Sequence, residues 1–194
     1  RRQRQMCIRD SSDNQVTVTT DYPTLVYTLN SEGYASQCVY SLSSQNRIYQ
    51  FSYSAEGYLT EIVENIDNTE YSSTSLTYEN GDITSISSKM NGLENKFIYE
   101  PGEESSTYHL PCLGLLEIHP LTFHIEALYA GLLGKDPRHF TIRSCPAGSN
   151  DEKTIYSYEF DKKGNPSRMI CQTTYAGGQA SYYPYTRNIS FSFE

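Results

Sequence analysis

Aromatic and polar residues alternate along several short segments of the chain. Residues 49–53 read Tyr-Gln-Phe-Ser-Tyr, residues 156–160 read Tyr-Ser-Tyr-Glu-Phe, and residues 189–193 read Ile-Ser-Phe-Ser-Phe. Successive side chains of a β-strand point to opposite faces of the sheet, so a period of two indicates a half-buried strand. The pattern predicts a mainly β protein whose aromatic residues form one face.

A degenerate repeat organises these strands. Gly33, Gly57 and Gly81 are each separated by 24 residues, and Gly164 ends a fourth, similar segment. Glycine supplies the positive φ that a tight hairpin needs, and the Asn-Gly pair at Gly81 is a strong turn signal. The repeat predicts an antiparallel meander of about 10–12 strands, which forms an open or partly closed barrel-like sheet.

One segment departs from the period of two. Apolar residues fall at helical spacing between Leu121 and Leu133, and Gly134 follows as a stop signal. We expect one short helix here, packed on the aromatic face of the sheet. No linker is evident, so residues 14–194 are predicted to form a single domain, preceded by a flexible basic tail over residues 1–13.

Composition excludes several classes of protein. The chain has 194 residues, a formal net charge of −8 and a sequence pI near 5.0. It lacks the apolar run of roughly 18 residues that a membrane-spanning helix needs. Its acidity argues against nucleic acid as a partner, because phosphate contacts require clustered Lys and Arg. With 13% aromatic residues the chain has enough apolar surface to form a buried core, so disorder is not expected.

Two family resemblances rest on the repeat and on the segments that follow it. Residues 51–62, with their Glu-Gly-Tyr turn, resemble the Tyr-Asp repeats of Rhs-type shell proteins. Residues 130–135 and 156–166 together resemble a family of secreted Bacteroidetes proteins of unknown function with a porin-like β fold. This second resemblance spans most of residues 25–193. It implies an exported, often lipid-anchored precursor, and it implies no activity.

The N-terminus bears on localisation. Arg1, Arg2 and Arg4 are not followed by an apolar stretch, so the chain does not begin with an intact signal peptide. With the resemblance, this favours an exported protein of the periplasm or cell surface whose signal peptide is absent from this chain. A lipid anchor, if one exists, would lie outside this chain.

Residues that carry chemistry show no catalytic or metal-binding spacing. The four histidines do not form an HExxH motif, the five cysteines do not form a CxxC motif, and GxSxG is absent. We therefore expect no enzymatic activity, no cofactor and no metal. The odd number of cysteines leaves at least one thiol free, and a Cys112–Cys145 disulfide stays open.

A tyrosine cluster is the candidate ligand-binding site. Tyr182, Tyr183 and Tyr185 surround a proline and follow a Gly-Gly turn, and burying all three rings at once would be difficult. Exposed aromatic rings stack on sugars or anchor protein partners. The alternative is a hairpin that packs its tyrosines on neighbouring residues.

Three functions remain open. The first is a non-enzymatic cell-envelope module that binds a glycan or a protein. The second is a periplasmic carrier of a lipid-like apolar small molecule, held between the aromatic face and the helix. The third, and weakest, is a hydrolase of envelope polymers.

Overall fold

A computed structural model describes most of the chain, namely residues 7–11, 14–19, 24–42, 45–105, 115, 118–149, 151–162, 166–175 and 185–190. The chain forms two compact units. The first comprises residues 1–76, 87–94 and 109–136, and the second comprises residues 77–86, 95–108 and 137–194. The sequence-based prediction of a single domain over residues 14–194 stays a prediction.

The described residues form thirteen antiparallel strands and little helix. The strands are β1 (Cys7–Ser11), β2 (Gln15–Thr19), β3 (Thr24–Leu29), β4 (Ala35–Leu42), β5 (Gln45–Tyr53), β6 (Leu59–Ile66), β7 (Thr69–Glu79), β8 (Asp82–Met90), β9 (Leu93–Ser105), β10 (His139–Pro146), β11 (Lys153–Phe160), β12 (Pro166–Thr174) and β13 (Tyr185–Ser190). Between β9 and β10 lie a 3-10 turn, Leu121–Phe123, and the helix α1, Ile125–Tyr129.

The strand order follows the chain from β1 to β13 without a crossover. This confirms the predicted antiparallel meander with one short helix, and of the two forms that were expected, open or partly closed, the sheet has the open one. The N-terminal segment that we expected to be a basic tail contains a strand, because Cys7–Ser11 pairs along its length with β2.

The alternation within β5 is the one that the sequence predicts. Tyr49 and Phe51 are buried, whereas Gln50 and Ser52 are exposed. Burial of each aromatic side chain contributes about 2 kcal/mol, so the aromatic face supplies much of the stability of the first unit.

The hairpin turns at Gly33 and Gly57 have the same hydrogen bonds. Gly33 donates to the carbonyl of Asn30 at 3.1 Å, and Gly57 donates to the carbonyl of Ser54 at 2.9 Å. The Asn30 and Ser54 side chains each accept two further backbone N–H groups within their own turn. A polar residue three positions before the glycine therefore closes each turn, as is usual for Asn and Ser.

The helix is shorter than predicted. Helical spacing led us to expect a helix up to Leu133 with its stop at Gly134, but α1 ends at Tyr129. Gly131 adopts φ +70° and allows Leu132 to donate to the carbonyl of Ala127 at 2.9 Å. This bond belongs to a Schellman motif, which satisfies the last carbonyls of a helix and terminates it.

The chain after α1 runs along the hairpin turns. In the first unit, Ala35 donates to the carbonyl of Leu132 at 2.7 Å, and Lys135 donates to the carbonyl of Gly57 at 2.9 Å. The two contacts are three residues apart on the connecting chain, where residues 132 and 133 are in a turn and residue 134 is in a bend. On the sheet they lie at the turns of two successive 24-residue repeats, at Gly33 and Gly57.

In this docking, Gly134 lies very close to the backbone of the hairpin turn at Gly57. A Cβ atom there would lie 2.7 Å from the carbonyl oxygen of Gly57, and the residue adopts φ +88°. A Cβ on Gly33, at φ +85°, would meet no atom within 4 Å. The two glycines share a backbone conformation and differ in the space around them.

We predict that Gly134→Ala destabilises the protein more than Gly33→Ala. Both variants incur the left-handed backbone strain of roughly 1–2 kcal/mol. Gly134→Ala adds a steric conflict that costs about 1–3 kcal/mol. Urea denaturation of the two variants measures the difference, and equal free energies of unfolding would contradict the docking described above.

Candidate functional site

The predicted tyrosine site lies largely outside the described residues. Tyr182 and Tyr183 are not described, and Tyr185 is described by its backbone, which pairs with Thr173 across β12 and β13. Tyr175, two residues beyond Thr173 on the other side of the same hairpin connection, has 55% of its surface exposed. The prediction of a tyrosine site stays a prediction, and Tyr175 is a residue that we did not include in it.

The strongest concentration of chemistry-bearing groups lies in the first unit, around Glu64. The Glu64 side chain has no exposed surface. Its Oε1 accepts from Arg47 Nη1 at 3.0 Å and from the Tyr49 hydroxyl at 3.1 Å. Its Oε2 accepts from the Ser72 hydroxyl at 2.7 Å and pairs with His119 Nε2 at 2.6 Å. We call these five residues the Glu64 cluster.

Adjacent strands bring the Glu64 cluster together. Glu64 lies on β6, directly opposite Tyr49 of β5 on one side and Ser72 of β7 on the other. His119 comes from the chain before α1, and its carbonyl accepts hydrogen bonds from the Thr74 and Ser88 hydroxyls. The cluster therefore joins three strands to the helical connection.

The electrostatics of the cluster favour an ionised carboxylate. Burial alone would raise the pKa of Glu64, but hydrogen bonds from His119 and Ser72 outweigh it and lower the pKa below its ordinary value. An ionised carboxylate can only accept hydrogen bonds, so His119 Nε2 is the donor. Arg47 adds a positive charge over the rings of Tyr71 and Phe123, at 5.9 and 6.0 Å from their centroids.

A second buried histidine lies beside the cluster in apolar surroundings. His124 is fully buried, and its Nδ1 shares a hydrogen bond with the Tyr27 hydroxyl at 2.8 Å. The rings of Tyr49 and Phe51 approach it edge-on, with centroids at 4.4 and 5.3 Å. Burial lowers the pKa of His124 to about 3, so its ring is neutral at neutral pH.

The second unit contains a separate carboxylate–histidine pair. Asp82 accepts from the backbone N–H of His139 at 2.7 Å and contacts His139 Nδ1 at 2.8 Å. The neighbouring Arg138 donates its backbone N–H to the carbonyl of Gly81 at 3.0 Å. These bonds attach the start of β10 to the turn between β7 and β8.

The geometry of both groups is that of a structural support. The four donors around Glu64 occupy the roughly four acceptor positions of a carboxylate.

In the part of the chain that the structure describes, His, Cys, Asp and Glu do not gather in a group of three or more that could hold a metal ion. Cys38 and Cys145 are free thiols. Within the same residues, no helix is long and apolar enough to cross a membrane.

The sequence analysis did not find the Glu64 cluster. Glu64 has the same strand parity as Ile62, and both are buried, whereas Glu61 is exposed. A carboxylate at a strand position that points to the same face as apolar residues was therefore a usable signal. Its partner His119 could not be found in this way, because a separation of 55 residues leaves no local pattern.

The fold and the Glu64 cluster together define the class of protein. It is an antiparallel β-meander in which buried polar side chains hold a short helical connection against the sheet. Residues 7–168 match the family described as a domain of unknown function (DUF4595) with porin-like fold. The chain belongs to this family, which confirms the porin-like fold that the resemblance implied.

A solved structure supports the same fold. The chain is similar to a porin-like protein from Bacteroides uniformis, with a TM-score of 0.88 and 24% sequence identity. The match covers 98% of this chain and 78% of that one. At this level of identity the likeness shows the fold. Among curated proteins no match was found.

We predict that Glu64→Gln destabilises the protein by about 3–5 kcal/mol, because a buried amide cannot accept all four donors and leaves the partly buried Arg47 without its counter-charge. Glu159→Gln is the matched control. Glu159 also lies 3.0 Å from an arginine, Arg168, but its side chain is 53% exposed, so removing its charge should cost less than about 1 kcal/mol.

The effect of Glu64→Gln should depend on pH. Because the pKa of Glu64 is lowered from its ordinary value of 4.5 in the folded protein, the stability contributed by its charge is present above pH 4.5 and is lost as the pH falls further. The free energies of unfolding of wild type and variant should therefore converge below pH 4.5. A constant difference down to pH 3 would show that the charge of Glu64 is not what stabilises the fold.

Proposed function

We propose that this chain is a non-enzymatic, exported cell-envelope module that binds a glycan or protein partner through tyrosines at the end of the β12–β13 hairpin. The observation that carries the proposal is the exposure of Tyr175, more than half of whose surface is accessible. An aromatic side chain of this size gains free energy when a partner covers it.

The register of the hairpin supports a shared platform. Thr173 pairs with Tyr185, and Tyr175 follows Thr173 by two residues. Tyr182 and Tyr183 come between Tyr175 and Tyr185 in the sequence. Tyrosines presented from one connection on a rigid sheet are a common arrangement for recognition.

The packing of the first unit argues against a carrier of an apolar ligand there. Tyr27 and Tyr49 have no exposed surface, and Phe51 has 6%. Leu121 and His124 of the helical connection are also fully buried. A carrier needs a cavity between these faces, whereas side chains of the protein fill this space.

The Glu64 cluster argues against a hydrolase that uses this carboxylate. A general base needs a free acceptor position toward its substrate, and Glu64 is fully buried with four donors around it.

An envelope location is supported by family membership and by the Bacteroides origin of the similar porin-like protein. The implied Bacteroidetes origin and a periplasmic or surface location are part of the same proposal.

We predict that replacing Tyr175, Tyr182, Tyr183 and Tyr185 together by Ala weakens binding to the envelope ligand roughly 10-fold or more, because aromatic anchors dominate such contacts. Binding is measured on an array of bacterial envelope polysaccharides and, in parallel, on immobilised envelope proteins. Tyr175→Phe is the first control, since it keeps the ring and removes the hydroxyl.

Tyr129→Ala is the second control, because it removes a 40% exposed tyrosine from α1, far along the sequence from the hairpin. It should bind as the wild type does. Undiminished binding by the fourfold variant, with an unchanged melting temperature, would refute the tyrosine platform. A lipid-sized mass released from the natively purified protein on unfolding would instead favour the carrier.

A further inference from the structure

The helical connection over the first unit is attached to the sheet by two histidines with opposite environments. We call residues 118–135 the connecting segment. His119 donates to the Glu64 carboxylate, whereas His124 is fully buried against the Tyr27 hydroxyl and two aromatic rings. A positive charge on His119 would be compensated, but one on His124 would be placed in a largely apolar environment.

The burial of the connecting segment determines when His124 can take up a proton. Leu121, Ala127 and Leu133 of the connecting segment are buried together with His124. When the segment lies on the sheet, His124 is out of contact with water, and its Nε2 has no hydrogen-bond partner among the described residues. When the segment leaves the sheet, the ring enters water and can take up a proton.

We propose that the connecting segment is an acid-sensitive clasp, which opens more often as the pH falls from 7 to 5 because His124 accepts a proton when the segment has left the sheet. Opening exposes the aromatic residues Tyr27, Tyr49 and Phe51, which the segment covers in the closed state.

The ionisable groups on the strands around His124 do not change charge in this range. Burial raises the pKa of Tyr27 on β3 and of Tyr49 on β5, and it raises that of Cys38 on β4 to about 12. Glu64 on β6 stays ionised because its pKa is lowered. Arg47 on β5 stays charged because its pKa is raised, and the segment itself contributes Glu126 of α1, whose carboxylate acts on Tyr27.

His119 of the connecting segment also acts electrostatically on His124, and it faces Glu64 across the hydrogen bond described above. His119 is unchanged in a variant of His124, so a comparison of that variant with the wild type isolates the contribution of His124.

The sign and size for His124 follow from proton linkage. The closed state binds the proton with a pKa of about 3, below the ordinary value of 6.5 in water. The closed state therefore has its full advantage above pH 6.5 and loses it as the pH falls toward 3. Between pH 7 and pH 5 the ratio of open to closed molecules should rise about 25-fold.

Hydrogen exchange of the wild-type chain at pH 7 and pH 5, corrected for the intrinsic exchange rate, tests the clasp. Protection of the backbone N–H groups of Leu128, Ala130 and Lys135, which donate to carbonyl groups in the closed state, should fall about 25-fold. Amides of β5 and β6 should lose no more than about 3-fold, because the clasp opens without unfolding the sheet. Unchanged protection in the segment overturns the proposal, and so does an equal loss in the strands, which would indicate global unfolding.

His124→Gln provides the decisive comparison, because glutamine can bond to the Tyr27 hydroxyl but does not titrate. In this variant the protection of the connecting segment should change less than about 3-fold between pH 7 and pH 5. A full 25-fold change in the variant would assign the effect to another group. If the variant does not fold, the ring resonances of His124 in the wild type decide: they should not titrate above pH 4.5, and a midpoint near 6.5 refutes the clasp.

Discussion

A carboxylate without access to water must find its hydrogen-bond donors within the protein, and Glu64 imposes this requirement on the first unit. Arg47, Ser72 and His119 come from three different parts of the chain, and each must reach the same two oxygens. A slip of β6 by one residue would turn Val63 to the core and Glu64 to the outer face. The cluster therefore specifies strand register, which aromatic packing alone would leave less strongly defined.

The docking of the chain after α1 is a second constraint, and it comes from backbone hydrogen bonds. In the first unit, Leu132 and Lys135 bond to Ala35 and Gly57, which belong to successive repeats. The turns of these repeats are closed in the same way, by the side chains of Asn30 and Ser54. The close approach at Gly57 in turn excludes a side chain at residue 134.

The sequence predicts those features of the fold that depend on neighbouring residues. Alternation in residues 49–53 and the turn glycines identify strands and hairpins, because both signals act within a few residues. The helix end was placed wrongly because Leu132 and Leu133 continue the apolar spacing, although Gly131 already terminates α1. The Glu64 cluster could not be assembled from sequence, since its members are separated by up to 72 residues (from Arg47 to His119). Strand parity marked Glu64 as buried, but no local signal identified its donors.

Two histidines five residues apart illustrate how little residue type determines chemical role. His119 lies beside a carboxylate, and its hydrogen bond gains strength from the negative charge. His124 lies among aromatic rings, where burial keeps it neutral. Both side chains attach the same segment to the same sheet, one through a hydrogen bond to a charged group and the other through packing against aromatic rings. Because the polar groups of the interior are engaged in holding the first unit together, recognition of a partner is better sought where the sheet presents aromatic rings to solvent, as at Tyr175.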